Sequence, residues 1–225
     1  MNDAFALPDA ESIADLTVFL SRARRIDDQA VRVTARDGVL LVTCAVLYPR
    51  GILDPGPAVL GLRSLRETHG AAFDRVVQPA AMLERLARAG EAAAPLTMPP
   101  GEVRAAWAGV APPKGGWARI GEIDAEVLAA AARAGAGDIA AALPDAAGDH
   151  VVQRVRSQVW SQPIRALPAL PAGAAFAADA LGFLVRPETV PVFESGQWLR
   201  ISPRRGHVLV HRRSSMSAEP AAPTT

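Results

Sequence analysis

The sequence predicts an α+β protein in which an N-terminal helix plus antiparallel sheet unit is followed by a helical segment that ends in a three-stranded antiparallel meander. Three observations predict this class. Apolar residues recur at helical spacing over residues 12–24, Asp37-Gly38 separates two strand-like runs, and residues 190–212 hold three short strand patterns separated by turns. Leu, Ile, Val and Phe supply 56 of the 225 residues, so we expect a packed core.

The first half contains a helix, a hairpin, two further strands and a second helix. Ser12 is the expected N-cap of the first helix. Asp-Gly is typical of a tight hairpin turn, and the run 39–47 is apolar on both faces, so we expect that strand inside the sheet. The other predicted elements are a strand at 31–36, strands at 59–66 and 73–78, and a helix at 79–89.

The second half is predicted to be helical before it ends in strands. We expect helices at 124–134 with a short continuation at 138–143, at 149–160 and at 172–184, with a proline-rich loop at 163–171. The meander strands are expected at 190–194, 197–202 and 207–212.

Composition divides the chain into two predicted domains. Residues 10–90 form the N-terminal α+β domain and residues 116–213 form the C-terminal α+β domain. Residues 91–115, rich in Pro and Ala, form the junction, and Trp107 is expected to hold it against a domain surface. Residues 214–225 have the composition of a disordered tail.

Charge and cysteine content exclude several classes of function. The net charge is +1, from 24 basic and 23 acidic residues, so no overall field steers a polyanion to the molecule. The single cysteine, Cys44, precludes an intramolecular disulfide, lies in an apolar run and fits a reducing compartment. No stretch resembles a signal peptide or has the ~20 apolar residues of a membrane helix. We therefore expect a cytoplasmic protein without a membrane partner.

Three sequence patterns that could form a cation, metal or phosphate site are better explained as structural features. Glu122, Asp124 and Glu126 could hold a cation if extended, but acids at a helix start are favoured by the helix dipole. His207 and His211 lie on one strand, about 13 Å apart at 3.3 Å per residue, which is too far for one metal ion. Lys114-Gly115-Gly116 and Gly135-Ala136-Gly137 lack the context of phosphate loops and are interpreted as turns. We therefore predict no metal site, no cofactor and no catalytic residue.

The C-terminal strands carry the candidate binding residues. Five arginines and two histidines lie between residues 200 and 213 with no acid among them, directly after Trp198. A basic hairpin after a helix is similar to the wing of winged-helix proteins, whose side chains contact phosphates. The preceding helix, however, contains no Arg, Lys, Asn or Gln to contact base edges, so we favour a solvated strand face. The candidate nucleic-acid-binding residues are Arg200, Arg204, Arg205, Arg212 and Arg213.

Four short motifs carry a family resemblance. They are Gly-Phe-Leu at 182–184, Gly-Gln-Trp-Leu-Arg at 196–200, Arg-Gly-His-Val-Leu-Val at 205–210 and Pro-Pro-Lys-Gly-Gly-Trp at 112–117. With these motifs the chain resembles an uncharacterised family of proteins from high-GC Gram-positive bacteria. This resemblance implies no activity.

Three functions follow, in order of preference. The first is a non-catalytic binding or regulatory module, with a protein partner or a second copy of the chain as its partner. The second is nucleic-acid binding through the basic hairpin, which we disfavour. The third is an enzyme whose site is assembled from residues distant in sequence.

Overall fold

The structure, a computed structural model, describes residues 3–49, 56–89, 94–144 and 148–212. Arg213 and the expected tail at 214–225 lie outside these ranges. The helices are α1 (Ala10–Ile26), α2 (Pro79–Ala89), α3 (Ala125–Ala142), α4 (Asp149–Ser161) and α5 (Ala172–Ala180). The strands are β1 (Ala4–Phe5), β2 (Val31–Arg36), β3 (Val39–Leu47), β4 (Ala58–Arg66), β5 (Phe73–Val77), β6 (Leu96–Thr97), β7 (Ala118–Asp124), β8 (Pro163–Ile164), β9 (Leu167–Pro171), β10 (Thr189–Ser195), β11 (Trp198–Ile201) and β12 (His207–His211). This confirms the predicted α+β class.

One antiparallel sheet of eight strands spans both halves of the chain, in the order β5-β2-β3-β4-β12-β11-β10-β7. The predicted hairpin is confirmed, because β2 and β3 pair through a turn at Asp37 and Gly38 and β3 lies between β2 and β4. The predicted meander is confirmed as β10, β11 and β12. At the centre, β4 pairs with β12, with Val59 opposite Val210.

The two halves of the sheet have related topology. In each half a helical segment precedes a three-stranded meander, and the last strands of the two meanders, β4 and β12, pair antiparallel. In each half a fourth strand borders the first meander strand, β5 beside β2 and β7 beside β10. Along the chain, β5 follows its meander, whereas β7 precedes its meander.

The helices cover one face of the sheet. Strand residues alternate between the two faces, so one side of every strand can be apolar. The core on the helical side includes Leu16 of α1, Met82 of α2, Leu128 of α3 and Ala174 of α5, all fully buried. The α5 helix is almost entirely small residues, which allows it to lie close to β4 and β12.

The junction crosses the opposite face of the sheet. Trp107, in a 3-10 turn at Ala106–Gly109, is buried and packs with Ala45, Leu60 and Leu209 from three strands. The expectation that Trp107 holds the junction against a surface is therefore confirmed. Beside the junction, Arg200 of β11 and His207 of β12 are partly buried on this face.

Two helix predictions are wrong at particular residues. The predicted turn at 135–137 is instead the middle of α3, and a Cβ on Gly135 would lie 2.9 Å from Cη2 of Trp160. Glycine is therefore kept there for close packing rather than for a turn. The N-cap of α1 is Asp9, not Ser12, since the Asp9 carboxylate accepts the Ser12 N–H at 2.7 Å.

Two boundaries in the second half also differ. Helix α5 ends at Ala180 rather than at 184, because Gly182 adopts a φ of +70°. The predicted loop at 163–171 contains the paired strands β8 and β9.

Candidate binding surface

Strand β11 places its residues alternately on the two faces of the sheet. Leu199 and Ile201 point into the helical core and are fully buried, whereas Trp198 and Arg200 face the other way. Arg200 lies opposite Leu209 of β12 and Phe193 of β10.

Arg200 is held between two aromatic rings. Its guanidinium carbon lies 4.6 Å from the ring centroid of Trp117 and 4.6 Å from that of Phe193. The Nε atom is buried without a hydrogen-bond partner, and burial lowers the pKa of the group. Among the described residues, no acid forms an ion pair with Arg200, whereas eight other arginines each have at least one.

A histidine and a serine lie next to Arg200. His207 Nδ1 lies 3.0 Å from Ser202 Oγ. Burial, reinforced by the positive charges of Arg200 and Arg63, lowers the pKa of His207, so the ring is neutral at neutral pH. We refer to Trp117, Phe193, Arg200, Ser202 and His207 as the Arg200 surface.

The Arg200 surface continues into a half-buried area formed by Leu62 and Thr43. Leu62 of β4 lies opposite His207, and Thr43 of β3 lies opposite Leu62. Leu62 and Thr43 are each only partly covered. The open face therefore combines a cation with aromatic and aliphatic contacts.

The predicted arginines do not form one surface. Arg204 and Arg205 lie in the turn between β11 and β12, while Arg212 lies at the other end of the hairpin, where its N–H donates to the carbonyl of Gln197. Arg204 Nε lies 3.9 Å from Glu188 Oε1, and Arg212 forms an ion pair with Glu194. Arg205 is exposed, and Arg213 lies outside the described residues.

The acids considered for a cation site have separate partners. Glu122 pairs with Arg119 and Glu126 pairs with Arg186. Asp124 directly precedes α3 but makes no capping hydrogen bond, and it accepts instead from the Thr189 hydroxyl at 3.3 Å. Within the described ranges, no group of three or more His, Cys, Asp or Glu side chains could hold a metal ion.

Other predicted residues have structural environments. The ring of His211 lies 4.7 Å from that of Trp198. Cys44 is buried on the helical side of β3. In the part of the chain that the structure describes, no helix is long and apolar enough to cross a membrane.

Sequence reasoning missed the partners of Arg200. Trp117 follows the junction and Phe193 belongs to the preceding strand, so only the sheet brings them to Arg200. The alternation of β11 does place Trp198 and Arg200 on one face, and that was the available clue.

Comparison with known families and proteins assigns no activity. Residues 1–109 match a family model described as Domain of unknown function (DUF8010), and residues 112–215 match one described as Domain of unknown function (DUF8185). No curated protein matches the chain. The resemblance to proteins without an assigned function is thereby confirmed.

Two solved structures are distantly similar in fold. DNA polymerase sliding clamps from Caulobacter crescentus and Pseudomonas aeruginosa match 94% and 96% of this chain, with TM-scores of 0.48 and 0.47 and identities of 11% and 9%. The match covers 67% and 66% of the two clamps, so the chain spans about two thirds of their length. A similarity this distant does not assign a function to this chain.

Proposed function

We propose that the protein is a non-catalytic binding module of the cytoplasm, and that its Arg200 surface binds an acidic segment of a protein partner. The observation that carries this proposal is the Arg200 guanidinium, which lies between Trp117 and Phe193 without an acid partner.

The chemistry of Arg200 favours a carboxylate. A guanidinium presents five N–H donors in a planar fork that matches a carboxylate in a bidentate manner. Stacking between two rings restricts the side chain, so less conformational entropy is lost when it binds.

The surroundings of Arg200 favour a protein over a small ion. Trp and Arg are the residue types that contribute most to protein interfaces, usually in partly desolvated positions. Leu62, opposite His207, adds a half-buried apolar side chain, and Thr43 beyond it adds a methyl group and a hydroxyl. A partner segment with both an acid and an apolar side chain would use both features.

The pairing of Ser202 with His207 supports catalysis less well. A serine nucleophile needs a histidine that accepts its proton and becomes positively charged. Arg200 and Arg63 disfavour that charge, and burial lowers the pKa of His207 further. No acid among the described residues hydrogen-bonds the ring to orient it. We therefore assign Ser202 and His207 a binding role.

Nucleic-acid binding is the second function, with weaker support. Of the five candidate arginines, Arg204 and Arg212 have acid partners and lie at opposite ends of the hairpin. Only Arg200 and Arg205, among those described, have no acid partner.

Panning a phage-displayed peptide library on the full chain tests the proposal. We expect the selected peptides to contain Asp or Glu next to an apolar residue. Their affinity should fall about tenfold or more in Arg200→Ala, because a charge-assisted hydrogen bond contributes roughly 1.5–3 kcal/mol. Arg200→Lys, which keeps the charge and loses the fork, should restore only part of the affinity.

Arg133→Ala is the matched control, since Arg133 is an exposed arginine of α3 on the helical side. It should bind the peptides as the wild type does. Peptides without acids, or peptides that bind Arg200→Ala equally well, would refute the proposal. Loss of binding in Ser202→Ala together with labelling of Ser202 by a fluorophosphonate would favour the enzyme instead.

A further inference from the structure

A row of three side chains crosses the first half of the sheet near the hairpin turn. Arg36 of β2 lies opposite Val39 of β3, and Val39 lies opposite Arg66 of β4. Residues directly opposite each other on neighbouring strands point to the same face, so the three side chains form one row. Both arginines are exposed, and Val39 is 40% exposed. We refer to Arg36, Val39 and Arg66 as the Arg36 row.

The Arg36 row shares a face of the sheet with Arg200. Val39 and Ala45 lie on the same face of β3, because every second residue of a strand does. Ala45 lies opposite Leu60, and Leu60 lies opposite Leu209. Leu209 in turn lies opposite Arg200. The six-residue step from Val39 to Ala45 corresponds to about 20 Å at 3.3 Å per residue, so the row and Arg200 are about that far apart along the strands.

Neither arginine of the row forms an ion pair with an acid in the described part of the chain. Glu67, next to Arg66, is buried, and its carboxylate accepts backbone N–H groups. Asp37, next to Arg36, lies exposed in the hairpin turn. Two arginines against this one exposed acid leave an excess of positive charge at the row, which therefore suits an acidic group.

The face between the Arg36 row and Arg200 is partly apolar. Leu41 of β3 and Leu62 of β4 lie on it and are half-buried. Val39 adds an exposed apolar side chain within the row itself. A peptide can place apolar side chains against these residues, whereas the phosphate backbone of a nucleic acid has none. The combination favours a protein segment over a nucleic acid.

We propose that the partner segment carries two acidic positions, one bound at Arg200 and the other at the Arg36 row, with apolar residues between them. This inference rests on the proposed function, because the Arg200 surface forms one end of the binding site. In an extended segment, a distance of about 20 Å separates residues that are about six positions apart. The segment then runs along β3 and β4, and its apolar side chains contact Leu41 and Leu62.

Fluorescence anisotropy of two synthetic peptides with the full chain tests this inference. The long probe has two Glu residues about six positions apart, with Leu and Pro between them, because Pro prevents a helix. The short probe has the same composition with its two Glu residues about two positions apart, too close to reach both sites. We expect the wild type to bind the long probe about threefold or more tightly than the short one, as two exposed ion pairs would give.

Arg36→Ala/Arg66→Ala, at two exposed positions, should fold normally and bind both probes equally, whereas Arg200→Ala should weaken the binding of both. Arg133→Ala/Arg154→Ala is the matched control and should keep the preference for the long probe. A wild type without that preference, or a preference that persists in Arg36→Ala/Arg66→Ala, would overturn this inference and leave the proposed function intact as long as Arg200→Ala weakens binding. If Arg200→Ala binds both probes as the wild type does, the proposed function fails as well. Duplex DNA binding that is lost in Arg36→Ala/Arg66→Ala would also overturn the inference and favour a nucleic acid.

Discussion

Gly61 of β4 lies so close to Leu181 that a Cβ at position 61 would overlap the Leu181 side chain. Leu181, which follows α5, is 2% exposed, and the same Cβ would be 3.3 Å from Cys44 Sγ. Helix α5 therefore approaches the central strands of the sheet only because position 61 has no side chain.

Replacing Gly61 by Ala should destabilise the fold by about 1–3 kcal/mol, because the added methyl overpacks a filled core. Urea unfolding followed by circular dichroism measures this change. Gly121→Ala, in β7 with no atom within 4 Å of the added Cβ, is the control and should be nearly neutral. The double variant Gly61→Ala/Leu181→Ala should cost less than the sum of the two single changes. Strict additivity would contradict the proposed overlap.

Cys44 should be unreactive in the native protein. Burial raises the pKa of its thiol to about 12, so hardly any thiolate forms at neutral pH. A thiol reagent at pH 8 should label it only as fast as the protein unfolds. Thr43→Cys in a Cys44→Ala background is the positive control, because the adjacent side chain points to the open face of the sheet. Labelling of native Cys44 within seconds would disprove its buried placement.

Because of Glu67, the free energy of unfolding should depend on pH in the acid range. Burial raises the pKa of this carboxyl, but hydrogen bonds from the N–H groups of Ala6, His69, Ala71 and Gly70 outweigh burial and hold the pKa below its usual value of 4.5. Because the pKa of Glu67 is lower in the folded protein than in the unfolded chain, the carboxylate stabilises the fold above pH 4.5. That stability is lost as the pH falls from there through the folded pKa.

Glu67→Gln should lower the free energy of unfolding at pH 7 by about 1–3 kcal/mol, because an amide nitrogen cannot accept the buried N–H groups. It should also flatten the acid limb of the stability curve, measured by urea unfolding between pH 7 and pH 3. Glu84→Gln, at an exposed ion pair, is the control and should change stability by less than about 0.5 kcal/mol. An unchanged acid limb in Glu67→Gln would rule out this role.

Local patterns predicted most of the secondary structure, because spacing and turn chemistry act over a few residues. Asp37-Gly38 and the alternation in β2 and β3 are such cases. The prediction of a turn at Gly135 was wrong because glycine is required there by close packing against Trp160, a residue 25 positions away on another helix. The Arg200 surface could not be predicted for the same reason, since Trp117 and Phe193 meet only through sheet pairing. The division into domains at 10–90 and 116–213 stays a prediction.

The remaining prediction concerns the turn of the basic hairpin. In Arg204→Ala/Arg205→Ala, the free energy of unfolding should change by less than about 0.5 kcal/mol, as is usual for exposed positions. Glu188 keeps its main partner, because the Arg204 backbone N–H donates to it at 2.8 Å and remains in the variant.

If the turn contacted phosphates, binding of duplex DNA would fall steeply with salt, by a slope of about −0.9 for each contact, and the variant would flatten that slope. We expect neither the wild type nor the variant to bind duplex DNA in a salt-dependent way. Fluorescence anisotropy from 50 mM to 200 mM salt measures this. Arg133→Ala/Arg154→Ala removes the same charge from two helices and serves as the control. Sub-micromolar duplex binding at physiological salt that is lost only in the hairpin variant would place nucleic-acid binding ahead of the protein partner.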